Sequence, residues 1–278
     1  MRLFALLPVV CGAAFAIAPL AAQPTEDPQY SFADLADAAL GAPVVALAEI
    51  DDAIRLRDER AVGVPAGHVR YYVEADLLNL IRSDRTVPGR IRYLIDMPLD
   101  ADGGRPDIED RQVLLMLEPV QGRPGEMRLV SRHGQIDWTP EREQVVRGLL
   151  AEAADPAAPG AVTGIGNIFS VPGTLPGENE TQIFLATADG RPVSLSVLRR
   201  PGQQPRWNVS LGEVVTQSLP PPEPETLLWY RLACSLPAQV PASALETMDA
   251  GQVERARADY ALVLRDLGPC PRYLDGSR

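Results

Sequence analysis

The sequence predicts a β-rich α+β protein, with a five-stranded barrel in the N-terminal half and a small antiparallel sheet with two helices in the C-terminal half. Three observations predict it. Short apolar runs with two-residue alternation recur along the chain. The 27 prolines and 22 glycines among 278 residues punctuate the chain too often for long helices. A helical stripe closes each half, at 139–150 and at 252–267.

In chain order, residues 31–41 (SFADLADAALG) read as a short helix. Ser31 and Asp34 have capping-box spacing, and Gly41 suits the stop. Residues 43–56 form the first strand, with a change of phase and a bulge at Asp51-Asp52. Residues 69–77 alternate, with Tyr71, Val73, Ala75 and Leu77 inward and Arg70, Tyr72, Glu74 and Asp76 outward. Residues 91–97 place Ile91, Tyr93, Ile95 and Met97 on one face. Residues 112–118 are apolar on both faces and suit a central strand, and 127–131 pair back across the Gly122 to Gly125 turn. Thr139 is a fitting N-cap, with Pro140 at the first helical position.

The stretch 153–160 (AADPAAPG) reads as a linker. This divides the chain into a targeting segment at 1–22, a barrel domain at 42–152 and a second unit at 161–278. In the second unit, strands are expected at 161–171, 181–188, 192–199 and 206–212, with a hairpin over Asp189-Gly190. LPPPEPE at 219–225 is a stiff extended connector. Helices follow over 226–236 and 252–267, and Gly268-Pro269 stops the second.

Composition narrows function by subtraction. The net charge is −11, and every one of the 26 basic residues is Arg. Without lysine, a Schiff base, a phosphate-loop lysine and a Ser–Lys dyad are excluded. The acidic balance argues against a nucleic-acid partner, which needs a basic face. Residues 1–22 carry Arg2, an apolar core broken by Pro8 and Gly12, and a Leu20-Ala21-Ala22 end, the pattern of a secretory signal peptide. Cleavage there removes Arg2, the one charged residue of that segment, and takes the charge from −11 to −12. The expected location is periplasmic or secreted, with no membrane span in the mature chain. Cys11 leaves with the peptide, and the remaining pair, Cys234 and Cys270, is expected to form a disulfide in an oxidising compartment.

The order of PVVALAEI (43–50), a long meander, QVLLMLEPV (112–120), a short hairpin and a helix near IDWTPEREQVV (136–146) resembles the OB-like barrel of netrin-like and tissue-inhibitor-like domains, over about residues 42–150. The resemblance implies a five-stranded OB-like barrel. Inhibitor members of that group depend on an N-terminal cysteine and on barrel disulfides. This region contains no Cys, so metalloprotease inhibition does not carry over. The second half resembles uncharacterised exported proteins of GC-rich Gram-negative bacteria. The carrying residues are Pro172-Gly173-Thr174, ETQIFL at 180–185, SLSVLRRPG at 194–202 and WYRLAC at 229–234. That resemblance implies export.

The search for chemistry yields little. His68 and His133 are the two histidines, each beside a glycine, at a strand entrance and at a turn. Zinc needs three or four ligands, and HExxH is absent. Asn208-Val209-Ser210-Leu211-Gly212 lacks the first glycine of a nucleophile elbow, and Gly164-Ile165-Gly166 is a lone Gly-x-Gly. The acidic loop Asp100-Ala-Asp102-Gly-Gly, followed by Asp107, Glu109 and Asp110, fails the EF-hand register, because Arg111 stands where a bidentate Glu is required. It reads as a solvated loop, with an irregular calcium site as the alternative. No cofactor motif is found. The expectation is a non-catalytic exported binding or envelope protein, its partner an envelope protein or a small ligand. The alternative is an exported hydrolase with an unrecognised site.

Overall fold

A computed structural model of the protein describes residues 30–212 and 218–274. The predicted signal peptide at 1–22 lies outside them. Helix α1 spans Phe32–Leu40. Its capping box is formed as the spacing requires: Asp34 N–H donates to Ser31 Oγ (3.1 Å), and Ser31 N–H donates back to Asp34 Oδ2 (2.9 Å). The far end of the helix has no basic residue of its own. Arg82, from the neighbouring sheet, donates there to the carbonyls of Ala39 (3.0 Å), Leu40 (3.2 Å) and Ala42, supplying the cation that the negative pole of a helix favours.

The first sheet contains β1 (Val44–Arg55), β2 (His68–Arg82), β3 (Arg90–Pro98), β4 (Gln112–Pro119), β5 (Met127–Leu129) and β6 (Gln135–Asp137). The antiparallel order is β3-β2-β1-β4-β5, and β6 also pairs with β4. Strands β5 and β6 lie end to end along β4, opposite residues 117–119 and 113–115, so they fill one strand position. A parallel bridge between Arg92 and Glu126 brings β3 beside β5, giving a nearly closed, five-position, OB-like barrel. The expected bulge is present as a register shift between Ile50 and Asp52.

Strand β2 runs five residues beyond its expected end at 77. Alternation fails at Leu77-Leu78, but further register shifts in β1 let the pairing continue to Val45–Arg82. Strand β6 was not expected, because three residues are too few to show a period.

The barrel interior is filled by alternate residues of every strand, among them Ile50, Val73, Ile91, Tyr93, Leu115 and Leu117. Ile108, from the acidic loop, is buried among them, and that loop is pinned where Tyr71 Oη donates to Pro106 O (2.9 Å). Strands β1 and β4 are buried on both faces, as their unbroken apolar runs require. Val45, Leu47, Leu114 and Met116 turn outward onto α1 and α2 (Pro140–Ala154). Helix α2 is capped by Thr139, with Pro at its first turn.

The second sheet contains β7 (Val162–Pro172), β8 (Asn179–Thr187), β9 (Val193–Arg199) and β10 (Arg206–Ser210), in the order β10-β9-β8-β7. Helices α3 (Leu227–Ala233) and α4 (Ala250–Leu267) cover one face; α3 is shorter than the 226–236 read from sequence. Their shared core holds Trp207, Trp229, Tyr260 and Leu195, joined by Ala33 and Ala36 of α1 and Leu149 of α2. Helices α1 and α2 thus contribute to the cores of both halves. Cys234 and Cys270 are bonded, with Cα atoms 5.2 Å apart, tying the end of α3 to the segment after α4.

The C-terminal segment returns to α1. Asp34 accepts the N–H groups of Tyr273 (3.0 Å) and Leu274 (3.3 Å), and Arg272 pairs with Asp37 at 2.5 Å. No helix among the described residues is long and apolar enough to cross a membrane.

Candidate functional site

The residues singled out from sequence do not converge. His68 is exposed, its Nδ1 3.2 Å from Ala66 O, and His133 is partly buried in the 131–134 turn, where its Nε2 accepts from Arg132 Nε (3.0 Å). Ser210 is buried at the end of β10 and donates to Gly212 O (3.3 Å). Gly164-Ile165-Gly166 sits among register shifts of β7; it is a strand irregularity and not a phosphate loop. In the acidic loop, Asp102 accepts from Gly104 N–H (3.0 Å). Among the described residues, no group of three or more His, Cys, Asp or Glu side chains is placed to hold a metal ion.

One buried cluster does gather polar chemistry. Asp259 of α4, with no exposed surface, accepts from Thr181 Oγ1 (2.5 Å) and pairs with Arg199. Ser170 and Asn179 stand beside it, at 3.2 and 3.2 Å from Thr181 Oγ1. A carboxylate next to hydroxyls is the raw material of nucleophilic catalysis. Here the group is sealed between β7, β8 and α4, so no substrate reaches it. Its role is to fix α4 on the sheet.

The surface feature with room for a ligand lies on the barrel, at the seam between β3 and β5. A groove of about 760 Å³ opens there. Its floor is a cross-strand row, because register places Ile54 opposite Tyr72 and Tyr72 opposite Leu94. Ile54 and Leu94 are each 47% exposed, and Met127 and Val120 complete the apolar lining. Arg60, Arg92, Arg123 and Arg128 stand around it, against Glu126 as the single carboxylate of the lining. A second hollow of about 700 Å³ lies on the other flank of the 120–126 loop.

The rim arginines are loosely held. Arg92 pairs with Glu74 (3.0 Å), Arg123 with Glu126 (3.1 Å) and Arg128 with Glu118 (2.6 Å). All three guanidinium groups remain well exposed, where such pairs contribute little, so they can turn to a ligand. Arg60, in the short turn Asp58–Ala61, has no ion-pair partner among the described residues. Tyr93 borders the groove from the inside. Its hydroxyl donates to Gln135 Oε1 (2.6 Å), and burial pushes its phenol far above the usual range. It stays a neutral hydrogen-bonding group at any ordinary pH.

Sequence alternation placed Tyr72 outward, and an aromatic side chain between outward Arg70 and Glu74 is a detectable signal. The arginines were not separable from the other basic residues, since only the fold brings 60, 92, 123 and 128 together. Comparison with protein-family models and with curated proteins finds no match to this chain.

Proposed function

We propose that the protein is a non-catalytic exported binding protein, with the β3–β5 groove as its ligand site. The observation that carries this is the composition of the groove. It has an apolar floor with convergent cationic groups, the usual make-up of a ligand site, and its lining contains no Ser, Thr, Cys or His. The two histidines that could serve as bases near neutral pH, His68 at the start of β2 and His133 in the 131–134 turn, lie outside it. Export is supported by residues 1–22, by the cysteine pair held at bonding distance, and by the resemblance of 172–234 to exported bacterial proteins.

Two measurements test this. A library of small amphipathic anions, followed by backbone and methyl NMR, should shift the resonances of Tyr72, Leu94 and Met127 before any others. Esterase, peptidase, phosphatase and glycosidase substrates should not turn over; turnover abolished by His68→Ala or His133→Ala with the fold intact would overturn the reading. N-terminal sequencing of periplasmic material should begin after Ala22, and a mature chain that retains Arg2 would refute export by this signal.

A further inference from the structure

The bonding pattern of the barrel shows which backbone groups face the groove. Leu77 N–H donates to Gly89 O (2.7 Å) and Leu99 N–H to Gly67 O (2.8 Å), so the odd-numbered residues of β3 face β2. Its even-numbered residues face the other way, and Arg92 N–H accordingly donates to Gly125 O (2.8 Å). On the opposite side, Val120 N–H donates to Glu126 O (3.0 Å) and Val130 N–H to Met116 O (3.0 Å). Even-numbered residues of β5 therefore face β4, and Met127 and Leu129 face β3.

The two strands run parallel and meet in one bridge, Arg92 with Glu126. Beyond it they diverge. The outward N–H and C=O groups of Leu94 and Asp96 on β3, and of Leu129 on β5, have no ladder partner among the described residues. An edge of this kind is a template for another strand. The groove beside it is lined by four arginines against one glutamate; Arg92 and Arg128 are also paired with Glu74 and Glu118 beyond the lining, which leaves Arg60 as the excess cation, in a chain of net charge −11.

We infer that the gap between β3 and β5 takes an extended acidic peptide segment of a partner protein, which adds to the edge of β3 at Leu94 and Asp96 while its side chains meet Arg60, Arg92, Arg123 and Arg128. Main-chain bonds supply the attachment and alternate side chains the selectivity. The cationic rim sets the sign of the partner and speeds its approach. This rests on the groove being the binding site, and it names the class of partner.

The test uses the mature chain and a fluorescein-labelled heptapeptide of alternating Glu and Val, with the Lys/Val version and the fully backbone N-methylated Glu/Val version as comparisons. The Glu/Val peptide should bind. The Lys/Val and N-methylated peptides should each bind at least about tenfold more weakly, the loss expected for one or two hydrogen bonds or a reversed charge. Amide hydrogen exchange should slow at Leu94 and Asp96 when the Glu/Val peptide is present. Leu94→Pro removes an outward N–H together with a side chain of the groove floor, so it is set against Leu94→Ala, which removes the side chain alone; the proline variant should bind about tenfold more weakly than the alanine one, and Arg60→Glu should weaken binding about tenfold. The N-methylated peptide and Arg60→Glu serve if Leu94→Pro does not fold. Equal binding of the N-methylated peptide refutes strand addition, and equal binding of the Lys/Val peptide refutes the acidic partner. If no peptide binds while small anions still shift the groove resonances, the strand proposal fails and the binding site stands. If neither binds, both fail.

Discussion

Replacing Arg199 with Leu strands a buried charge, and the structure sets the size of the effect. Asp259 has no exposed surface, and the Arg199 side chain is 34% exposed. Removing one partner of a buried pair costs about 3–5 kcal/mol. Water can follow the vacated guanidinium part of the way, so Arg199→Leu is expected near the lower end, about 3 kcal/mol. Asp259→Leu leaves the cation instead, and a guanidinium already one-third exposed is readily solvated, but the variant also takes the acceptor from the buried Thr181 hydroxyl; its cost is expected at about 2–3 kcal/mol, the penalty of lost hydrogen bonds to a charged group. The double variant removes both charges and substitutes apolar packing, which is often neutral or stabilising relative to a buried pair. It should be more stable than Arg199→Leu alone. Urea unfolding followed by tryptophan fluorescence reads this directly, since Trp207 and Trp229 belong to the same core. Strictly additive losses in the double variant would show that the two groups do not act as a pair, and the account of α4 docking would fall with it.

Four further outcomes are expected. Reducing the Cys234–Cys270 bridge, which closes 36 residues, should lower stability by about 4 kcal/mol by the loop-closure argument, measured by unfolding with and without reductant; a change under about 1 kcal/mol would refute it. Asp34→Ala removes the carboxylate that accepts the Ser31 N–H in the α1 capping box and the Tyr273 and Leu274 amides, so limited proteolysis should cut near 271–274 in the variant and not in the parent. Burial, reinforced by the bond to Asp37, pushes the Tyr230 phenol up to about 12; a pKa raised in the folded state stabilises below the unfolded value of about 10 and is lost as pH rises towards 12. Tyr230→Phe should therefore flatten the fall in stability between about pH 10 and 12, and an unchanged profile would exclude this group. The fragment 24–152 retains the whole barrel interior but exposes Ala33, Ala36 and Leu149; it should unfold cooperatively at lower urea than the full chain, and non-cooperative unfolding would show that the halves share one core.

Much of the fold was legible because the interior of a small barrel imposes a strict two-residue period. Ile91, Tyr93 and Ile95 could be assigned to one face without knowing their neighbours, and Thr139-Pro140 announced α2 by local hydrogen-bonding logic alone. Strand β6 and the extension of β2 were not legible, because both depend on partners. Leu78, Asn79 and Leu80 break alternation, and only the irregular register of β1 keeps them in the sheet. The groove was the least legible feature. Tyr72 and Leu94 could be placed outward, but their adjacency is a matter of register, and the encircling arginines come from the β1–β2 connection, from β3, from the 120–126 loop and from β5. The histidines and the acidic loop drew attention through residue type, while in the fold His68 opens β2, His133 sits in a turn and the acidic loop carries the buried Ile108.

The open edge at the groove accompanies a register jump along β4, from Leu117–Leu129 to Leu115–Gln135, which inserts four extra residues between β5 and β6. Met116 N–H donates to Gly134 O (2.7 Å), and Val130 N–H donates to Met116 O, so the turn from 130 to 134 is drawn tightly against the middle of β4. A Cβ at 134 would stand 2.9 Å from Met116 O and 3.1 Å from Ser131 O, both backbone atoms with little freedom to yield. Glycine suits this approach, and the inserted residues split the fifth strand position into β5 and β6. A continuous strand there could carry the ladder from Arg92–Glu126 along the length of β3 and close the barrel. Because β5 stops at Leu129, β3 keeps unpaired backbone groups, and the apolar row of Ile54, Tyr72 and Leu94 stays in water beside them. A protein needing only a stable barrel gains nothing from this, since unpaired strand edges invite aggregation. The same seam also carries the arginine rim. Incomplete closure, exposed apolar surface and the arginine rim thus coincide at one place on the barrel, and that coincidence is what the proposed binding surface rests on.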